Sequence, residues 1–145
     1  MAAHLFAAID VGSFELEIGI YETTSRNELR EIDHLRHVIS LGRDTYHTGK
    51  ISYHLVDEMC QVLEEFAQVM KSYQVEDYRA YATSAMREAK NSQIILEQIR
   101  VRTGIQVQVI SNSEQRFLGY KAIAMKEAEF QKIIQKGTAI ADVSF

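Results

Sequence analysis

The chain has 145 residues, 46% hydrophobic and 25% charged, which suits one compact domain with a core and excludes a disordered polyelectrolyte. A net charge of −4 and a pI near 5.7 argue against a nucleic-acid or membrane-surface protein, so any anionic ligand must be held by a local site. A single cysteine, no apolar run of the roughly 18 residues a membrane span needs, and a start (MAAHLFAAID) without a signal-peptide pattern point to a cytoplasmic protein.

Residues 5–9 are an apolar run ended by Asp10-Val11-Gly12-Ser13, the pattern of a buried strand meeting a tight turn. Leu16, Ile18 and Ile20 then alternate with Glu15, Glu17 and Tyr21, which predicts a second strand with one buried face and, with the first, a hairpin. Residues 29–41 are read as a third strand. Asp33, His34, Arg36 and His37 break its alternation and mark an edge or a bulge, and their odd spacing sets His34 and His37 on opposite faces, against a zinc site.

From Ser52 the period changes, with Leu55, Met59, Val62, Leu63, Phe66 and Met70 along one helical face. Cys60 falls within this pattern and is read as a buried structural thiol. A strand is predicted over 78–83, a helix over 93–102 capped by Asn91 or Ser92 with Gly104 past its end, and a strand over 105–110. Through residue 110 the order is βββαβαβ, an α/β domain with a mixed sheet, and a helix over 113–135 and a strand over 139–143 are predicted to follow. Because the final apolar run has no turn after it, the chain is expected to continue beyond Phe145. The tyrosines and phenylalanines are read mainly as core.

The stretch Tyr81-Ala82-Thr83-Ser84-Ala85-Met86-Arg87-Glu88-Ala89-Lys90-Asn91 resembles the A-T-S-A-x-R-E-A-x-N segment of the exopolyphosphatase/guanosine-pentaphosphatase family. Ala8-Ile9-Asp10-Val11-Gly12-Ser13 resembles that family's first phosphate-binding turn, and Thr103-Gly104-Ile105 with Val109-Ile110-Ser111 resembles the approach to its catalytic helix. The resemblance implies the actin-like (ribonuclease-H-like) ATPase fold, with this chain as the N-terminal domain and the site in a cleft facing a second, C-terminal domain. It also implies hydrolysis of the terminal phosphoanhydride of inorganic polyphosphate, or of guanosine pentaphosphate, by magnesium-assisted attack of water.

The residues suit those roles. Asp10 offers a carboxylate for magnesium, Gly12 lets phosphate approach the backbone, and Ser13 adds a hydroxyl beside backbone N–H donors. Ser84 and Arg87 follow a strand where a helix begins, a place for an anion and for a guanidinium that forks two oxygens; Lys90 is a possible helper. Asp142 corresponds to the family's second metal-associated aspartate.

Several positions depart from the family pattern. Phe14 and Glu15 stand where Asn-Ser is usual, and Ser144 and Phe145 stand where glycines follow Asp142, as in a divergent branch or a sequence altered at this end. Gln115 occupies the place of the general base with Glu114 beside it, although Ser111-x-x-Glu114 and Asn112-x-x-Gln115 also fit helix-capping boxes. These departures keep open an alternative, a polyphosphate- or nucleotide-binding regulatory module of the same fold without catalysis. An uncovered edge of the isolated chain is expected to favour self-association, with a homodimer as the simplest form.

Overall fold

The computed structural model describes residues 4–23 and 29–110. Strands β1 (His4–Val11) and β2 (Glu15–Thr23) form the expected antiparallel hairpin, with Asp10 opposite Glu17 and Val11 opposite Leu16. Strand β3 (Leu29–Val38) lies antiparallel on the far side of β2. Helices α1 (Leu41–Thr48) and α2 (Tyr53–Ser72) lead to β4 (Asp77–Ala82), which runs parallel to β1. Helices α3 (Ser84–Glu88) and α4 (Ser92–Thr103) lead to β5 (Gln108–Val109), parallel to β4. The sheet order is β3-β2-β1-β4-β5.

One face of this sheet carries the core. Ala7, Ile9 and Val11 from β1, Leu16, Ile18 and Ile20 from β2, and Ala80 and Ala82 from β4 meet Val56, Met59, Cys60, Leu63 and Phe66 of α2 and Ile95 and Ile99 of α4. The spacing of the α2 residues gives one apolar stripe, and Cys60 sits inside it as a buried free thiol whose pKa burial pushes up. Gly49 and Gly104, at φ 79° and 77°, end α1 and α4 in the left-handed conformation, each donating its N–H to a carbonyl of the last turn. Among the described residues no helix is long and apolar enough to cross a membrane.

The structure corrects the predicted order to βββααβααβ over the described residues. The third strand stops at Val38, and residues read as its end open α1 instead. That helix buries only Leu41, Gly42 and Thr45, too few apolar side chains for a periodic signal. The strand expected over 105–110 pairs only at Gln108 and Val109. The helix over 113–135 and the strand over 139–143 lie outside the described residues.

Strand β2 also has two shielded faces rather than one: Glu17, Gly19 and Tyr21 are buried along with Leu16, Ile18 and Ile20. The Tyr21 ring lies over Gly19, where an added Cβ would come within 2.6 Å of it. Strand β3 is the expected edge and carries the expected irregularity, because Ile20 faces Asp33 while Tyr21 faces Glu31. His37 reaches Glu58 of α2 at 2.8 Å whereas His34 lies toward Glu17 at 3.9 Å, so the two rings diverge.

Asn91 is the α4 N-cap by position, but its side chain makes no cap hydrogen bond. It grips a distant backbone instead: Oδ1 accepts from Ile51 N at 3.2 Å and Nδ2 donates to Ile51 O at 3.0 Å. Replacing Asn91 with alanine strands both backbone groups and is expected to cost about 1–3 kcal/mol in urea unfolding. A loss below about 0.5 kcal/mol would mean that water substitutes freely.

Candidate anion-binding site

Strands β1 and β4 run parallel and in register, with Val11 opposite Ala82, so their C-terminal ends open at the same edge of the sheet. Open α/β sheets bind ligands at such edges. Gly12-Ser13 leaves β1 there and Thr83-Ser84 leaves β4 beside it. The first turn is tight: Gly12 N donates to Glu15 O at 3.0 Å, and a Cβ on Gly12 would stand 3.1 Å from that oxygen.

Helix α1 docks on both turns. Its Gly42 N–H donates to Ser13 O at 2.8 Å, and Thr45 Oγ1 donates to Ala85 O at 3.1 Å. A side chain at Gly42 would press on Ser13, Tyr46 and Phe14, so the small residue permits the close approach. The result is a triangle of hydroxyls: Ser13 Oγ lies 3.1 Å from Ser84 Oγ and 3.3 Å from Tyr46 Oη, and Tyr46 Oη lies 2.7 Å from Ser84 Oγ. Ser13 and Ser84 are expected members, and Tyr46 is not. Phe14 and Tyr46, read with the other aromatics as core, are 57% and 54% exposed and flank this edge. Thr83, beside Ser84, is buried with its hydroxyl unpartnered.

Arg87 follows on α3, exposed, with Nη1 donating to Ile110 O at 2.8 Å just past β5. Because α3 has only five residues, its dipole is slight, and Ser84 contributes a hydroxyl more than a helix terminus. Lys90 is elsewhere: its side chain runs along Gly49 at the far end of α1, about 10 Å along the helix from Gly42. Glu114, Gln115 and Asp142 lie outside the described residues.

Asp10 occupies the sheet face opposite Ile9 and Val11, directly across from Glu17. Burial, then the Glu17 and Glu15 carboxylates, push its pKa up to about 7. Glu17 is itself raised, by burial first and by Glu15 second, with His34 and Arg36 opposing. Glu15 lies 3.4 Å from Arg36, whereas Glu17 Oε1 is buried without a hydrogen-bond partner. The departure at Glu15 therefore adds a negative charge beside Asp10 and Glu17 behind the turn. Among the described residues no group of three His, Cys, Asp or Glu side chains is arranged to hold a metal ion.

The profile of the Ppx/GppA phosphatase family matches residues 20–135. The chain belongs to that family. It is 26% identical over 115 residues to exopolyphosphatase 1 of Mycobacterium tuberculosis, a match covering 79% of this chain and 33% of the relative. It is 22% identical over 125 residues to the bifunctional 3-dehydroquinate synthase/phosphatase of Fusobacterium nucleatum, covering 82% of this chain and 19% of that protein. The match thus spans about a third of the mycobacterial enzyme's length. Among solved structures, the Aquifex aeolicus Ppx/GppA family member superposes with a TM-score of 0.80 at 30% identity, over 85% of this chain and 40% of that one. An exopolyphosphatase from Cytophaga hutchinsonii superposes with a TM-score of 0.75 at 21% identity, over 83% and 38%. The mixed sheet of this Ppx/GppA chain is thus the actin-like fold that the motifs implied.

Proposed function

We propose that this chain is the N-terminal domain of a longer cytoplasmic phosphohydrolase that removes the terminal phosphate of inorganic polyphosphate, with guanosine pentaphosphate as an alternative substrate. The observation that carries this reading is the meeting of Ser13 and Ser84 hydroxyls, 3.1 Å apart, at the paired ends of two parallel strands. In this reading both hydroxyls donate to phosphate oxygens, Gly12 leaves room for the anion beside the backbone, and Arg87 turns its remaining N–H groups to the next phosphate. Glu114 or Gln115 orients the attacking water, and the second domain closes the cleft.

Magnesium enters this reading through Asp10, a carboxylate kept close to Glu17 and Glu15; the described residues do not by themselves form a three-ligand site. Asp10, with Asp142, would hold the ion, which supplies charge neutralisation on the phosphoanhydride. Asp10 must shed its proton for that role, which burial and the nearby Glu17 and Glu15 disfavour without a cation.

Ser13→Ala tests the reading directly. It removes a hydrogen bond to a charged acceptor and is expected to weaken tripolyphosphate binding about tenfold or more by calorimetry. Unchanged affinity in a folded variant would remove the first turn from the site.

A further inference from the structure

We infer that Tyr46 is a third phosphate ligand, and that the Ser13–Ser84–Tyr46 triangle selects a terminal phosphoryl group over an internal one. This rests on the phosphate reading of the two turns and adds to it a residue and a specificity. Three hydroxyl oxygens mutually 2.7, 3.1 and 3.3 Å apart can all be touched at once by a group set over the face of their triangle. Without an anion the protons satisfy one another. With one, each hydroxyl turns its single proton outward, which makes three convergent donors.

Their positions are built rather than incidental. Ser13 is buried in its turn, Ser84 is fixed by α3, and Tyr46 is held by a helix tied to both turns through Gly42 N to Ser13 O and Thr45 Oγ1 to Ala85 O. Tyr46 is 54% exposed, so the triangle can be reached from solvent. Oxygens already held in place need only rotate their O–H bonds to meet an anion, which keeps the reorganisation small.

The number of donors chooses the ligand. A terminal phosphoryl group presents three non-bridging oxygens on one face, an internal phosphoryl presents two, and a carboxylate presents two in a plane. A triangle of donors is fully used only by the first. Tyr46 is the member that decides this, since Ser13 and Ser84 alone would serve two oxygens of any of these groups equally.

The experiment compares two probes, linear tripolyphosphate, which has terminal phosphoryl groups with three non-bridging oxygens, and tripolyphosphate methylated on both ends, in which every phosphorus keeps two. Tyr46→Phe keeps the ring against Gly42 and is expected to weaken tripolyphosphate binding about tenfold while changing binding of the dimethyl ester less than about twofold. The loss should persist in a Ser84→Ala background, because a direct donor does not act through Ser84. Disappearance of the loss in that background would make Tyr46 a mere support for Ser84 and overturn the inference. Equal losses for both probes would overturn the end-selectivity. No loss from Tyr46→Phe, with Ser13→Ala still weakening binding, would overturn the inference while leaving the phosphate reading standing. If the unaltered chain binds neither probe, both fall.

Discussion

Replacing Asp10 with asparagine is expected to stabilise the chain at pH 8 by about 2–4 kcal/mol and to change it by less than about 0.5 kcal/mol at pH 4. The sign follows from the direction of the shift. In the folded chain burial, Glu17 and Glu15 raise the Asp10 pKa from 3.8 to about 7, so the fold prefers the protonated acid. Its contribution is fully present below pH 3.8 and is lost as pH rises through about 7. At roughly 1.4 kcal/mol per pH unit the ceiling is about 4 kcal/mol, and water reaching the half-buried group lowers it. Asparagine keeps the shape and never ionises. Urea midpoints at the two pH values test this, and a loss of stability at pH 8, or an equal gain at both, would contradict it. The same substitution removes the carboxylate proposed for magnesium, so under the proposed function the full-length protein carrying it is expected to be more stable and inactive, as where a functional group is held against its electrostatic preference.

Leu63→Ala carries the largest expected loss of stability, about 3–5 kcal/mol in urea unfolding. Leu63 is fully buried on α2 beside Met59, Cys60 and Phe66, within the cluster that holds Leu16, Ile18 and Ile20 of β2. Deleting its branched end removes the transfer energy and leaves a cavity between a 20-residue helix and a central strand that cannot readily collapse. Total stabilities of about 5–15 kcal/mol are usual, so the variant is expected to be partly unfolded near 37 °C. A loss below about 1.5 kcal/mol would show that α2 shifts to fill the space.

The strands and long helices are legible in the sequence where one apolar period dominates, as in residues 5–9 and along α2. Helix α1 is not legible because its hold on the fold is polar and backbone-made: Gly42 N, Thr45 Oγ1 and the Gly49 cap leave almost no apolar pattern. One member of the hydroxyl triangle shares that fate. Asp10, Gly12 and Ser13 announce themselves as a local turn, and Ser84 with Arg87 as a motif. Tyr46 joins them only through contacts reaching 33 and 38 residues along the chain from the helix that was missed. Glu17 looked outward by alternation. Its burial on the second face of β2, with an orphaned oxygen, requires the Tyr21 side chain over Gly19 and the flanking strands, which alternation alone does not encode.

The register that sets Val11 beside Ala82 also dictates when the site comes into being as the chain folds. The β1–β2–β3 meander closes through near neighbours and can form early, whereas the β1–β4 pairing closes a loop of some seventy residues, the slow step by entropy. Ser13 and Ser84 therefore meet only after that closure. An anion bridging them finds little to hold in the early meander, so it would leave the rate of folding nearly untouched and act by delaying the escape of β4 from β1, lengthening the lifetime of the native chain.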